Sequence, residues 1–473
     1  MTELPDLTAT ELLSLFRSRA ASPVEVVDAC LSRIERTDAV LNAVLTCLAD
    51  QAVAQARESE RRWRAGAARP LEGVPYGLKD IIATEGVLTS GGSSLYRKHV
   101  PDHDAAIASR LSEAGAVRLA KLQTFEFACG GADNRTFGPS RNPWDSSRTT
   151  GGSSSGSGAA VASGQVPLAI GTDTGGSIRQ PSAYCGITGL KPTYGRVPRH
   201  GVMPLSWTLD HAGPMARSIA DCALVLRTIA GHDPRDETSS RRPVPDYSAD
   251  QSRSVTDLVV GRPRGWFEDR LTPDVAAAFE ASLSELSEAG LRIVDVSLPG
   301  LDVWEVAAWQ VMYAEMLSLH QDHVSDVENR DVMGAGMLAA APYVHAVDYL
   351  RGLRYRRVAQ EALSNAMAGV AVLVTPAATS VAPRLADISG GADSSEWLVT
   401  ATRTTLPFNY TGSPALCLPA GLAAGLPTGI QLIARPHDEQ SLFAVGAAYQ
   451  RATDHHQVRP PWLSPDESRG AVN

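Results

Sequence analysis

Apolar residues recur along the chain at helical spacing in some stretches and as short continuous runs in others, and this alternation predicts an α/β protein. After Ser22-Pro-Val-Glu25, a capping box with proline at the first helical position, Val27, Leu31 and Ile34 repeat at helical intervals. The whole stretch 8–64 is predicted to be helical. Further strands are predicted at 116–120, 258–260, 291–296 and 370–374, and further helices at 106–113, 218–229, 273–289, 303–320, 349–367 and 439–453.

Composition and charge narrow the class of protein. The 473 residues are 44% hydrophobic and 20% charged, with a net charge of −9 and no basic cluster, which argues against a nucleic-acid partner. No signal peptide and no apolar run of about 20 residues is visible, which predicts a cytoplasmic protein without a membrane anchor.

Metal and cofactor sites are not expected. The six cysteines are scattered without a C-x-x-C pair, which favours reduced, buried thiols. His99 and His103 have superficial metal-ligand spacing, but Pro101 between them disfavours the helix that would aim both at one ion.

The stretch from Gly151 to Pro192 stands out because it is rich in glycine and serine yet continues into core-type residues. A solvated linker would not be followed at once by Ala159-Ala-Val-Ala162 and Val166-Pro-Leu-Ala-Ile170. Glycines in such a setting let the backbone turn sharply or approach another group closely. The serines are then presented for chemistry.

Three kinds of chemistry compete for this stretch. A phosphate loop is weakly supported, because the G-x-x-x-x-G-K-[ST] form is absent. A nucleophile elbow would use Ser154 in Gly152-Ser-Ser-Ser-Gly156, but 146–150 is a poor strand, and neither His211 nor His437 lies in a recognisable motif.

The third interpretation is a serine nucleophile activated without histidine. Thr172-Asp-Thr-Gly-Gly-Ser177 offers backbone N–H groups for an oxyanion just before a serine. A lysine with a lowered pKa can act as the base, and Lys79 is the candidate. Its own segment alone favours a surface lysine at a strand edge.

Ordered motifs run along almost the entire chain. They read Gly73-Val-Pro-Tyr-Gly-Leu-Lys-Asp80, Glu126-Phe-Ala128, Asn142-Pro-Trp144, Gly151-Gly-Ser-Ser-Ser-Gly-Ser-Gly158, Gly171-Thr-Asp-Thr-Gly-Gly-Ser-Ile-Arg179, Gly186-Ile-Thr-Gly-Leu-Lys-Pro-Thr193, Asn409-Tyr-Thr-Gly-Ser-Pro414 and Gly429-Ile-Gln431. In these motifs the sequence resembles the amidase signature family of serine hydrolases. The resemblance implies an α/β fold with a large mixed β-sheet covered by helices on both faces.

The resemblance also implies roles for individual residues. Ser177 matches the nucleophile, Ser153 the bridging serine that the family holds with a cis peptide, and Lys79 the base. The backbone N–H groups of the oxyanion hole would be those of Thr174, Gly175, Gly176 and Ser177, and the supporting residues would be Ser154, Asp173 and Arg179. The family usually has glycine at Ser155 and often proline at Thr150, two departures close to Ser153.

A single domain is expected, in four parts. Residues 1–65 would form a helical layer, 66–230 the catalytic core, 231–256 a polar surface excursion, and 257–473 the rest of the sheet with the pocket helices.

The predicted function is hydrolysis of small apolar or aryl amides, with aryl carbamates and esters as possible further substrates. Phe125, Cys129, Trp309 and Tyr313 are predicted to line the pocket. The expected partners are small molecules only, with a monomer or homodimer and no cofactor.

Two alternatives stay open. The first is the glutamine-hydrolysing subunit of the tRNA-dependent amidotransferase, whose Tyr-Asp-Gly-x-Arg-Tyr stretch is missing where this chain reads Trp309-Gln-Val-Met-Tyr-Ala-Glu315. The second is a catalytically silent binding scaffold, against which intact Lys79, Ser153 and Ser177 argue.

Overall fold

The computed structural model describes residues 3–129, 131–132, 134–323, 337–388 and 392–461. Eleven strands form one mixed sheet, in the order β1-β3-β2-β6-β8-β7-β12-β13-β11-β9-β10, and β4 and β5 form a separate hairpin. The strands are β1 Val44–Cys47, β2 Pro75–Lys79, β3 Val117–Leu122, β4 Arg141–Asn142, β5 Asp145–Thr149, β6 Leu168–Asp173, β7 Thr188–Lys191, β8 His211–Ala216, β9 Val259–Pro263, β10 Arg292–Val296, β11 Val372–Pro376, β12 Ala415–Ala423 and β13 Leu426–Ile433.

Helices connect and cover these strands. They are α1 Ala9–Ser18, α2 Pro23–Leu41, α3 Ala49–Arg64, α4 Ala106–Glu113, α5 Ser155–Ala162, α6 Arg179–Cys185, α7 Ile219–Ile229, α8 Pro273–Glu288, α9 Leu301–His320, α10 Ala346–Ala366, α11 Leu385–Ile388, α12 Ala392–Thr402, α13 Leu406–Tyr410 and α14 Glu439–Ala452. Within the described ranges, none of them combines the length and the apolar character that crossing a membrane requires.

The centre of the sheet is buried on both faces. Every residue of β2, β3, β6, β7 and β8 is buried, although successive side chains of a strand point to opposite faces. Strand β2 runs parallel to both β3 and β6, whereas β6 and β8 are antiparallel. The predicted mixed sheet with helices on both faces is therefore confirmed.

The glycine- and serine-rich run is not a linker but the buried helix α5. All eight residues of α5 are buried, including its serines and glycines. A Cβ on Gly156 would lie 2.4 Å from Ala43 O and Gln123 N, so only glycine allows this close packing. Small residues thus let α5 sit directly against the strands that carry the site.

Two local predictions are wrong. Residues 8–64, predicted to be helical throughout, include strand β1, because Val44–Cys47 pairs antiparallel with β3 at the edge of the sheet. The stretch 146–150, which reads as a poor strand, lies almost entirely in β5, Asp145–Thr149, because pairing with β4 supplies backbone partners that its polar composition does not indicate.

Candidate active site

Lys79 is the last residue of β2 and is fully buried. Its Nζ lies 2.7 Å from Ser153 Oγ and 2.8 Å from Thr172 Oγ1. Burial lowers the pKa of Lys79 to about 7, and Asp173 and Asp210 act in the opposite direction. A substantial fraction of the amine is therefore neutral near neutral pH, which a proton acceptor requires.

Several contacts fix the backbone around Ser153. The Gly152–Ser153 peptide bond is cis. A Cβ on Gly152 would lie 2.2 Å from Phe125 Cζ, so glycine is required there. The Gly152 N–H donates to Gln180 Oε1, and Ser153 O accepts from the Phe125 N–H at 3.1 Å. The backbone on both sides of the serine is thereby fixed.

Ser177 follows the turn that ends β6. Its neighbours in the turn are buried, whereas Ser177 itself is partly accessible. A Cβ on Gly176 would lie 2.3 Å from Thr405 Oγ1, and the φ of Gly176 is 137°. Ser177 O accepts from the Ser154 N–H at 3.3 Å, which joins the two serine-bearing segments.

Ser154 has a different task from that of a nucleophile. Its Oγ donates to Thr172 O and accepts from the Thr172 N–H, both at 3.1 Å. It therefore fastens the start of α5 to the end of β6. This geometry gives no support to the elbow interpretation.

Asp173 and Arg179 form an ion pair that is completely buried, with 2.9 Å between Asp173 Oδ1 and Arg179 Nη2. Burial alone would raise the pKa of Asp173, but Arg179 and Asn409 hold it well below its usual range. Arg179 also donates to Thr405 O, Gln431 Oε1 and Asn409 Oδ1. The pair ties the turn before Ser177 to distant parts of the chain.

One backbone N–H assigned to the oxyanion hole has another partner. The Gly176 N–H donates to Asp173 Oδ1 at 2.8 Å, so it is engaged inside the turn. Within the described part of the chain, the N–H groups of Thr174, Gly175 and Ser177 donate to no other group of the protein. These three are the donors that remain for an oxyanion.

Ser153 and Ser177 lie in the wall of one cavity. Three of the four predicted pocket residues, Phe125, Cys129 and Trp309, line it. Tyr313 does not, and that prediction is wrong, because Tyr313 stacks against Trp309 with ring centroids 5.5 Å apart and lies outside the wall. The other large apolar lining residues are Leu205, Met312, Met337, Trp397 and Leu398, and the lining includes no charged side chain among the described residues.

Sequence reasoning missed several contacts of the site. Thr172 lies beside Lys79, and Gln180 holds Gly152. Asp210 accepts from Thr174 Oγ1 at 2.7 Å. Thr172 belongs to a matched motif and Gln180 directly follows it, so both could have been suspected. Asp210 lies outside those motifs, and only the pairing of β6 with β8 brings it close.

Comparison with known proteins identifies the family. The Amidase family matches residues 25–443. A glutamyl-tRNA(Gln) amidotransferase subunit of Chloroflexus aggregans is 40% identical over 488 aligned residues, which cover 97% of this chain and 99% of the relative.

Solved structures agree in fold. Peptide amidase from Stenotrophomonas maltophilia has a TM-score of 0.84 at 29% identity, covering 96% of this chain and 98% of its own. The corresponding glutamyl-tRNA(Gln) amidotransferase subunit from Thermotoga maritima has a TM-score of 0.82 at 28% identity, covering 95% and 96%. The fold is therefore common to enzymes with different names and does not separate their activities.

The relatives overturn two predictions. A stand-alone hydrolase of small apolar amides or carbamates is contradicted by relatives that are named as amidotransferase subunits along their full length. The prediction of small-molecule partners only, without nucleic acid, is contradicted because that name links them to an assembly and to a tRNA. The absence of the Tyr-Asp-Gly-x-Arg-Tyr stretch was a poor guide to function, because that stretch covers only six positions. The 40% identity over 97% of the chain reflects the whole molecule. The family match and these relatives show that the chain belongs to the amidase family.

Proposed function

We propose that this protein is the glutamine-hydrolysing subunit of a tRNA-dependent amidotransferase, with Ser177 as nucleophile and Ser153 and Lys79 as its proton relay. The observation that supports the assignment to an amidotransferase is the 40% identity to a glutamyl-tRNA(Gln) amidotransferase subunit over 97% of the chain. The observation that supports the chemistry is the distance of 2.7 Å between Lys79 Nζ and Ser153 Oγ, because Ser153 lines the same cavity as Ser177.

The proposed reaction begins with neutral Lys79. It takes a proton from Ser153, which takes one from Ser177 as Ser177 Oγ attacks the carboxamide carbon. The N–H groups of Thr174, Gly175 and Ser177 stabilise the oxyanion. Ser153 returns a proton to the leaving nitrogen, ammonia departs, and water cleaves the acyl-enzyme through the same relay.

In this proposal, the side-chain end of glutamine enters the cavity. Its apolar lining, with Trp309 and Met312 from α9, accepts the methylene stem, which places the side-chain carboxamide at Ser177. The charged amino-acid end then lies toward the mouth. Ammonia released at Ser177 would serve a partner subunit.

The test is ammonia release from glutamine by the purified chain, alone and together with the other amidotransferase subunits and glutamyl-tRNA(Gln). We expect Ser177→Ala to lower turnover by about 10⁴-fold or more, since removal of a serine nucleophile costs up to about 10⁶. Ser154→Ala is the matched control and should retain most of the activity, apart from losses due to the weakened contact with Thr172.

Two results would contradict the proposal. Turnover of peptide amides, anilides or aryl carbamates without any turnover of glutamine would exclude the amidotransferase assignment. Failure of a serine-reactive fluorophosphonate to label the wild type at Ser177 would favour the silent scaffold.

A further inference from the structure

Three sulfur atoms from separate parts of the chain meet at the wall of the cavity. Cys129 Sγ lies 3.4 Å from Met316 Sδ and 3.2 Å from Met337 Sδ. All three residues are buried, with exposed fractions of 8%, 0% and 7%. Cys129 and Met337 line the same cavity as Ser153 and Ser177.

The backbone before Cys129 is held in a tight turn. Phe127 and Ala128 have φ values of 49° and 62°, in the left-handed region that residues other than glycine rarely adopt. The Phe127 N–H donates to Gly91 O at 2.7 Å, and the Cys129 N–H donates to Glu126 O at 2.8 Å. These bonds hold the turn that places the thiol against Met316, on α9.

The donor set selects a soft, monovalent cation. Thiolate and thioether sulfur prefer Cu(I) and related ions over hard or borderline ones. One thiolate with two thioethers neutralises a single positive charge, so a monovalent ion gives a neutral complex in these apolar surroundings. Zn²⁺ would leave a buried net charge and lack a fourth ligand. Elsewhere in the described ranges, no group of three or more His, Cys, Asp or Glu residues is arranged to hold a metal.

The two contacts of Cys129 Sγ need only a small adjustment. Three sulfurs at about 2.3 Å from one ion stand about 4 Å apart from each other. The thiol lies 3.4 Å from Met316 Sδ and 3.2 Å from Met337 Sδ, so each thioether would move away from it by less than about 1 Å, which the flexible methionine side chain allows.

We propose that Cys129, Met316 and Met337 form a binding site for Cu(I) or Ag(I) in the wall of the catalytic cavity, and that the bound ion blocks access to Ser177. Binding replaces the thiol proton, which leaves to solvent, and involves no change of oxidation state. Two of the three ligands already face the cavity, so the ion and the displaced methionine side chain take up space there.

The test is anaerobic titration of the full chain with Cu(I), in competition with a chromogenic chelator, and with Ag(I) by calorimetry. Every protein carries Cys47→Ser, because Cys47 is an exposed cysteine and would bind such ions adventitiously. We expect one ion bound and about one proton released per chain. X-ray absorption should show three sulfur neighbours around the copper.

Substitutions of the three sulfur ligands distinguish this metal site from binding elsewhere on the protein. Cys129→Ser should weaken binding by at least about 100-fold, because even outer-shell changes cost 10–100-fold. Met316→Leu and Met337→Leu, which keep side-chain size, should each weaken it by about tenfold. Met312→Leu is the matched control, since Met312 lines the cavity outside the sulfur contacts, and it should bind as the wild type does.

A second readout needs no substrate. Ag(I) should slow fluorophosphonate labelling of Ser177 in the Cys47→Ser protein but not after the further change Cys129→Ser. Equal affinity in these two proteins, with thermal unfolding showing both folded, would overturn the proposal. A folded Met316→Leu protein with unchanged affinity and four light-atom neighbours around copper would overturn it as well. None of these outcomes depends on whether glutamine is the substrate.

Discussion

Two buried lysines on adjacent strands, Lys79 on β2 and Lys121 on β3, have opposite surroundings. Both are fully buried, and the strands pair in parallel with Leu78 opposite Lys121. Lys79 contacts two hydroxyls, those of Ser153 and Thr172, and no carboxylate lies within 4 Å of its Nζ among the described residues. Lys121 lies 3.2 Å from Asp80 Oδ1 and donates to Ile82 O and Thr89 Oγ1.

The difference leaves one buried amine, that of Lys79, without a carboxylate in contact within the described ranges. Burial lowers the pKa of Lys79 to about 7 and that of Lys121 to about 8, but only Lys121 has a carboxylate in contact that stabilises its charged form. That carboxylate belongs to Asp80, the residue next to Lys79 in sequence. Because neighbouring side chains of an extended chain point to opposite sides, Asp80 serves the other lysine.

The largest effect is expected from removing the amine that lacks a carboxylate. Lys79→Met should lower kcat/KM for amide hydrolysis by about 10²–10⁴-fold, the range for loss of a general base. Stability should change little, since no buried charge loses its partner. Ammonia release and thermal unfolding measure the two quantities, and a well-folded variant with wild-type turnover would rule out Lys79 as the base.

For Lys121, which is paired with Asp80, we expect a large loss of stability and little loss of activity. Lys121→Met should lower the free energy of unfolding by about 3–5 kcal/mol, because it leaves Asp80 buried without its counter-ion. Turnover per folded molecule should stay within a few-fold of the wild type. Urea unfolding tests this, and the double variant Lys121→Met/Asp80→Asn should recover part of the loss. Unchanged stability of the single variant would contradict the structural role of the pair.

The pH dependence should follow Lys79. A protonated amine cannot accept a proton, so kcat/KM should rise about tenfold per pH unit below pH 7 and level off above it. A pH profile of kcat/KM from pH 5.5 to 9 measures this. A flat or falling profile across that range would show that the relay does not start from neutral Lys79.

The smallest effect should come from Thr172, whose hydroxyl accepts from Lys79 Nζ. Thr172→Val removes an acceptor that favours the protonated amine, so the pKa of Lys79 should fall. The inflection in the pH profile of kcat/KM should then move to lower pH by about one unit. The plateau rate should change little. The same pH profile measures the shift, and movement to higher pH would mean that the hydroxyl acts on Lys79 in another way.

Much of the fold could be predicted from local spacing. The helix predicted at 106–113 is α4 with the same limits, and the capping box before Val27 begins α2 one residue after Ser22. The errors fall where tertiary contacts decide. Strand β5 depends on its partner β4, and the wall position assigned to Tyr313 depends on how α9 is turned toward the cavity.

For the site, ordered motifs pointed to Lys79, Ser153 and Ser177. The structure places both serines in one cavity wall and Lys79 Nζ 2.7 Å from Ser153 Oγ, but the motifs did not describe the surroundings. They did not indicate that the Gly176 N–H is taken by Asp173, or that Asp210 lies next to Thr174. The contact of the Cys129 sulfur with two methionines was equally hidden. Function was the weakest prediction, because one missing motif outweighed the agreement of the whole chain.

The fold class and the glycine-bearing turns were already fixed by the order of the residues, because dihedral limits and periodicity act between near neighbours. Which lysine faces hydroxyls and which faces a carboxylate became clear only from the folded chain. Ser153 and Thr172 lie 74 and 93 positions away from Lys79 along the sequence. Removal of an amine from water, and the choice of the groups that face it, arise only when distant segments pack together.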